Sequence, residues 1–192
     1  LIAIYAIPVI FAITLHEVAH GWAAKYLGDR TAEMMGRLTL NPIRHMDPIG
    51  TGLLPIMLVL LKSPLIFGWA KPVPVTWENL DNPRRDMALV ALAGPGANLL
   101  MALFWFGVMQ FVFSLEGSIA ANTLEFFVYM AQAGIIINIV LMVLNLIPIP
   151  PLDGSRVVLA MLPGRWAYQY SRLEPYGFFI LIGLVFGLYL FF

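Results

Sequence analysis

The sequence of 192 residues contains no cysteine and few charged residues, and these two absences exclude several classes of protein. Without cysteine, these residues can form no disulfide, no thiolate-ligated zinc site and no cysteine nucleophile. Charged residues make up only 11% of the sequence, whereas soluble domains contain about 25%. The eleven basic and eleven acidic residues cancel, so no basic field attracts nucleic acid and we expect no nucleic-acid partner.

Apolar residues take the place of charge, with 60% hydrophobic residues and a mean hydropathy of +0.84. A soluble chain of this length cannot bury so much apolar surface. Four stretches reach the length of about 20 mostly apolar residues that a spanning helix requires: 1–27, 87–114, 123–147 and 173–192. We therefore predict an all-α polytopic membrane protein, embedded in the lipid bilayer as a single domain over 1–192. Its core covers about 1–160, and a C-terminal helix covers about 173–192.

The connection between the first two predicted spans is long and carries signals of non-helical structure. Residues 51–61 are apolar, contain Pro55 and are too short for a span, which predicts a re-entrant or hairpin element within 51–70. Residues 36–41 alternate between small or apolar and polar side chains, and 73–75 is a second extended candidate, so we predict short membrane-associated β-strands. Non-helical backbone at membrane depth must be buried in protein or line a wet cavity. We expect a wet cavity here.

The basic residues predict how the chain is oriented in the membrane. They follow the first predicted span, precede the second and follow the third, while the loop 115–122 contains none. Because lysine and arginine are enriched in cytoplasmic loops, residues 28–86 and 153–172 are predicted to be cytoplasmic in a multi-pass protein of the cell membrane. This orientation requires the 51–70 stretch to cross an even number of times or not at all.

The sequence HEVAH at residues 16–20 carries the strongest chemical signal. His16 and His20 lie four residues apart on a predicted helix, so both imidazoles project from one face and can bind one zinc ion. Glu17 lies beside them, where its carboxylate can deprotonate a metal-bound water. The alternative is that His16 and His20 are core histidines that bind no metal. Glu17 would then be unpaired in lipid, at a cost of several kcal/mol. We predict one zinc ion per chain, bound by both histidines, with Glu17 as general base.

A catalytic zinc ion also requires a third protein ligand and an open fourth position. Asp153 follows three prolines in four positions, which must end the third span at the depth of the two histidines. Followed by Gly154, its carboxylate can turn back toward the metal, so we predict Asp153 as the third ligand. The alternative role for Asp153 is to cap a helix starting near Ser155. His45 and Asp47 are the other candidates for the third ligand.

Three asparagines lie within the predicted spans. Asn145, in the last turn of the third span, can donate a hydrogen bond to the scissile carbonyl or to an oxyanion. Its alternative role is interhelical packing, which we favour for Asn138. Asn98 ends a Gly-Pro-Gly-Ala-Asn break in the second span and is predicted to line the same cavity.

Three of these motifs together resemble the site-2 protease family of intramembrane zinc metalloproteases. They are HEVAH at 16–20, GPGAN at 94–98 and NLIPIPPLDG at 145–154. The segments 36–51 and 67–75 are similar to the compact bacterial branch of that family. The resemblance implies zinc ligation by the two histidines and by the aspartate of the third motif, with the glutamate of HEVAH as general base. It also implies that the Asn145 position assists the substrate.

Members of that family cut a transmembrane segment of a signalling protein, so the resemblance implies a transmembrane protein substrate. A helical substrate must unwind before attack, and the predicted strand at 36–41 offers an edge for β-addition. The predicted substrate-binding residues are Leu38, Thr39, Leu40, Asn41 and Asn98. The competing interpretation is a non-proteolytic zinc-binding membrane protein or a metal transporter, for which Glu17 is unnecessary. The residues specify no oligomeric state.

Overall fold

The structure, a computed structural model, describes residues 2–62, 68–177, 179–181, 183 and 187. This part of the chain is all-α, with seven α-helices joined by turns and irregular segments. They are α1 (Ile2–Tyr26), α2 (Thr31–Met34), α3 (Leu54–Leu60), α4 (Pro83–Ser114), α5 (Ala121–Asn145), α6 (Asp153–Met161) and α7 (Gly164–Ser171). The expected class, an all-α membrane protein, is confirmed.

Three of these helices, α1, α4 and α5, are long and apolar enough to cross a membrane. α4 begins at Pro83, whose fixed φ suits a first helical position, and α5 ends at Asn145 because prolines follow closely. These helices match the first three predicted spans. Half of the fourth predicted span, over 173–192, lies outside the described residues, and the described half includes the short turn Glu174–Tyr176.

The three spanning helices pack antiparallel to their neighbours. His20 contacts Val90 while His16 contacts Asn98, so α1 and α4 run in opposite directions. Asn98 in turn contacts Asn138, and the short loop from α4 to α5 makes that pair antiparallel as well. The C-terminal ends of α1 and α5 therefore meet the N-terminal end of α4 at one face of the bundle. The metal-ligand candidates lie near this face.

Small residues allow the helices to approach closely, while the large apolar side chains face outward. A Cβ at Gly134 would overlap the ring of Trp105, so α5 lies directly against α4 there. Trp105 and Met130 anchor a buried cluster between the helices. On the outer surface, large apolar side chains such as Leu100 are exposed, as expected for helices that contact lipid.

The two predicted β-strands are absent from the described residues. Residues 36–41 form a turn and irregular backbone, and 73–75 has no regular secondary structure. Side chains, rather than a neighbouring strand, form hydrogen bonds with the backbone near Val73. Arg37 donates to the carbonyls of residues 71 and 72, and Val73 N donates to Glu17. The prolines on either side of Val73 have no N–H group, so this segment cannot pair as an ordinary strand.

The apolar 51–61 segment forms only a short helical element. A wide turn over Pro48–Leu53 leads into α3, which has no buried side chain. Together they cover Pro48–Leu60, shorter than a spanning helix. Residues 63–67, where a re-entrant element would turn back, lie outside the described residues.

Candidate metal centre

His16, His20 and Asp153 bring three metal-binding side chains to one point between α1 and α6. The Nε2 atoms of the two histidines lie 3.0 Å apart. Asp153 Oδ2 is 3.2 Å from His16 Nε2, and its Oδ1 is 3.3 Å from His20 Nε2. The structure thus brings together the three side chains that the sequence suggested as ligands.

The hydrogen bonds around the two imidazoles leave both Nε2 atoms free to bind a metal. His16 Nδ1 lies 2.6 Å from Asn98 Oδ1, and His20 Nδ1 lies 2.7 Å from the carbonyl of Val90. Both partners are acceptors, so each Nδ1 carries the hydrogen and each Nε2 presents a lone pair. Two such lone pairs beside a carboxylate repel one another unless a cation lies between them.

The spacing and chemistry of these donors fit zinc. Ligands about 2.0–2.2 Å from a tetrahedral zinc ion lie about 3.3–3.6 Å from each other, close to the 3.0–3.3 Å observed. The Oδ2 atom of Asp153 is buried and accepts no hydrogen bond from any described residue. Two imidazoles and a carboxylate are a donor set typical of catalytic zinc, with one position left for water or substrate.

Asp153 reaches the histidines because the chain turns sharply after α5. Asp153 is the first residue of α6. The N-cap position of this helix, which was the alternative predicted for Asp153, is occupied by Leu152. A Cβ at Gly154 would overlap the Leu146 carbonyl, so glycine is required where the chain folds back. The other two ligand candidates have local partners: His45 bonds to the Thr39 carbonyl, and Asp47 accepts the first N–H groups of the turn that follows it.

A cavity of about 300 Å³ lies beside the three ligand candidates, and Glu17 lines it. The segment 72–77, here called the wall segment, lines the cavity, as do Asn145 and Arg156. Asn145 Nδ2 donates to the Leu141 carbonyl at 3.0 Å, and its second N–H remains for another acceptor. The wet cavity expected from the sequence has a counterpart here, since charged and amide side chains line it.

Glu17 is held in the cavity by the backbone of the wall segment. Val73 N donates to Glu17 Oε2 at 2.8 Å. Behind the wall, Arg37 donates to the carbonyls of Lys71 and Pro72. Charged side chains thus bind the backbone at Val73 and at the two residues before it. The sequence identified 73–75 as extended but carried no signal for this contact, because its partners lie 56 positions apart.

The five predicted substrate-binding residues do not line this cavity in the described part of the chain. Leu38 packs behind the wall segment, next to Gly21 and Val73. Thr39 and Asn41 contribute to local turns, and Leu40 is exposed. Asn98 is completely buried beside His16.

Arg156 is a residue of the cavity that the sequence did not single out. Its guanidinium lies 5.5 Å from the ring centroid of Trp77, which ends the wall segment. Glu174 forms an ion pair with the same guanidinium. Arg156 therefore joins α6 to the wall segment across one end of the cavity.

Comparison with known proteins identifies the family. The model of peptidase family M50 matches residues 108–189. Three relatives carry names that begin "Putative zinc metalloprotease". YwhC of Bacillus subtilis (strain 168) is 38% identical over 93% of this chain and 78% of its own length. Rip2 of Mycolicibacterium smegmatis is 27% identical over 92% of this chain and 64% of its own length. Rip2 of Mycobacterium tuberculosis (strain H37Rv) is 31% identical over 86% of this chain and 54% of its own length.

This chain therefore spans only about half to two thirds of the two Rip2 proteins. No solved structure matches it. The relationship to YwhC extends over most of both chains, and it agrees with the three apolar helices and the His-His-Asp cluster. The chain belongs to peptidase family M50, the site-2 protease family, and is a zinc metalloprotease of the membrane.

Proposed function

We propose that this chain is an intramembrane zinc endopeptidase that hydrolyses a peptide bond in or near a transmembrane segment of a membrane-bound substrate. The observation that carries the proposal is the convergence of His16, His20 and Asp153 at 3.0–3.3 Å, beside a cavity that contains Glu17. One zinc ion per chain would be held by these three side chains. When bound, it would polarise the scissile carbonyl and acidify the attacking water.

Glu17 is proposed as the general base of an HExxH-type site. Its carboxylate takes the proton of the attacking water and passes it to the leaving amine. The N–H of Val73 keeps Oε2 directed along the wall segment, so the carboxylate has a defined position before substrate enters. Asn145, which also lines the cavity, is proposed to donate its free N–H to the carbonyl oxygen that becomes negative.

The substrate is proposed to lie in the cavity as an unwound strand along the wall segment. A helix hides its amides in internal hydrogen bonds, so it must open locally before attack. Leu38, predicted from sequence to bind the substrate directly, is proposed to act by supporting this wall, since it packs against Gly21 beside Val73. Asn98 has a different proposed role, given below.

Metal transport is the competing function, and the arrangement of ligands argues against it. A transporter is expected to carry ionisable ligands along a path through the bilayer. In the described residues, the metal-binding side chains form one group at one depth. The base, Glu17, adds nothing to metal holding alone. Uptake of zinc into sealed vesicles, without cleavage of a reconstituted single-span substrate, would favour transport.

The substitution Glu17→Gln tests the proposed function. General-base catalysis contributes typically about 10²–10⁴-fold, so we expect Glu17→Gln to reduce cleavage by at least about 100-fold while the protein keeps one zinc ion. The measurement compares membrane-bound fragments in cells producing either form, together with the zinc content of the purified proteins. The matched control is Glu116→Gln, in the exposed loop between α4 and α5, which should cleave normally. Cleavage by Glu17→Gln near the wild-type rate would overturn the mechanism.

A further inference from the structure

We infer that Asn98 and Asn138 form a buried relay that positions His16 for metal binding by holding the hydrogen of its ring on Nδ1. The inference rests on the proposed zinc site. Asn98 Oδ1 lies 2.6 Å from His16 Nδ1. Asn98 Nδ2 donates to Asn138 Oδ1 at 2.9 Å, and Asn138 Nδ2 donates to the Gly134 carbonyl at 2.8 Å. The relay therefore connects α1, α4 and α5.

A backbone carbonyl at one end sets the direction of every hydrogen bond in the relay. The Gly134 oxygen can only accept, so Asn138 must present its amide hydrogens to it and its Oδ1 to Asn98. Asn98 then presents Nδ2 to Asn138 and to the Ala12 carbonyl at 3.4 Å, and its Oδ1 to His16. An oxygen facing Nδ1 requires the hydrogen to be there, which leaves the lone pair on Nε2.

Because the relay is buried, the loss of one of its hydrogen bonds destabilises the site. Asn98 and Asn138 are both 0% exposed, so no water can replace a missing partner. A buried amide that loses its partners carries the full cost of its desolvation. Partners of metal-bound histidines hold the ring orientation and tautomer, and their loss typically weakens metal affinity about 10–100-fold. Asn98 is thus a positioning residue that acts through His16.

The two histidines differ in how they are positioned. His20 donates from Nδ1 directly to a backbone carbonyl, that of Val90, which no side-chain substitution removes. The orientation of His16 depends instead on the side chain of Asn98 on α4, and through Asn98 on Asn138 of α5. The Nδ1 hydrogen bond of His16 is therefore the one that a side-chain substitution in a neighbouring helix can remove.

Zinc affinity of the purified protein in detergent, measured by competition with a chromophoric chelator, tests the relay. We expect Asn98→Leu to weaken zinc binding 10–100-fold. Asn98→Asp loses the donor to Asn138 but keeps an oxygen for His16, so its zinc affinity should stay within about threefold of wild type. A role in helix packing alone would make both variants equally poor. Thr14→Val, which alters another buried polar residue of α1, is the control and should bind zinc normally.

A double substitution provides the second readout. Asn138→Leu should weaken zinc binding by less than Asn98→Leu, and it should have no further effect in the double variant, because it acts only through Asn98. The visible spectrum of the Co²⁺-loaded protein should change in Asn98→Leu and stay unchanged in Thr14→Val. The relay is overturned if Asn98→Leu binds zinc like wild type, if Asn98→Asp is as weak as Asn98→Leu, or if the two Leu substitutions are additive.

His16→Ala separates a failure of the relay from a failure of the proposed function. If His16→Ala still binds one zinc ion with wild-type affinity, the proposed metal site itself is wrong. If His16→Ala loses zinc while Asn98→Leu binds it normally, the metal site stands and the relay alone is rejected.

Discussion

At Gly94, α4 lies directly against both metal-binding histidines. A Cβ at this position would overlap His20 Nε2 and His16 Cε1. Both rings are held by hydrogen bonds from their Nδ1 atoms, so they cannot turn away without losing a buried partner. The small residues of the GPGAN motif thus allow one helix to cover a metal centre carried by another.

We expect Gly94→Ala to weaken zinc binding by about 5- to 150-fold, since overpacking of this kind costs about 1–3 kcal/mol. The measurement is the zinc dissociation constant of the purified protein, with thermal unfolding as a check of folding. Gly96→Ala is a matched control in the same motif, because a Cβ there meets nothing within 4 Å. Equal zinc affinity of the two variants would contradict the close approach of α4.

Residues that act through local spacing were predictable from the sequence, and those that act across the fold were not. His16 and His20 share a helical face because of their spacing alone, and the prolines before Asp153 indicated where the chain leaves α5. The contact of Val73 with Glu17 and that of Asn98 with His16 join residues 56 and 82 positions apart. Only the packing of α1 against its neighbours creates those contacts.

At the scale of elements, Asp29 connects the end of α1 to the wall segment. Its carboxylate accepts from Thr76 N at 2.8 Å, Thr31 N at 3.0 Å and Asn79 Nδ2 at 3.1 Å. Asp29 is 0% exposed. Burial raises the pKa of its carboxyl, but the hydrogen bonds from Thr31, Thr76 and Asn79 outweigh burial, so the pKa of Asp29 lies below its ordinary value.

This lowered pKa predicts how stability depends on pH. A carboxyl with a lower pKa in the folded state contributes stability above its unfolded pKa, about 3.9 for Asp, and that contribution is lost as pH falls through the folded pKa. We expect Asp29→Asn to unfold at lower temperature at pH 7 and to lose less stability than wild type between pH 5 and the acid range. Thermal unfolding in detergent measures both. An unchanged pH dependence in Asp29→Asn would contradict this role, and exposed Glu78→Gln is the control.

Spanning helices were more predictable than the connections between them. A helix in lipid satisfies its own backbone, so length and hydropathy suffice to predict α1, α4 and α5. The wall segment satisfies its backbone through Arg37, Glu17 and Asp29, which lie far away in the sequence. Alternation at 36–41 and the X-Pro steps at 73–75 predicted strands, because neither pattern reveals which groups accept the hydrogen bonds.

At the scale of the whole molecule, the basic residues are divided unevenly among the connections between the spanning helices. Eight of the eleven basic residues lie between the last turn of α1 and the first turn of α4. The other three follow α5. The C-terminal ends of α1 and α5 meet the N-terminal end of α4 at one face of the bundle, near the metal centre. The α4–α5 loop lies at the opposite end. The positive-inside rule therefore predicts that the metal centre opens toward the cytoplasm.

Single cysteines test this orientation, and the absence of native cysteine leaves no background in these residues. Met35, 61% exposed in the connection that follows α1, and Ser118, exposed in the α4–α5 loop, are suitable positions. A membrane-impermeant maleimide added to intact cells should label Ser118→Cys and not Met35→Cys, and both should react after permeabilisation. Cleavage of a co-produced substrate shows that each variant is folded. The reverse labelling pattern would locate the metal centre at the outer face and contradict the predicted topology.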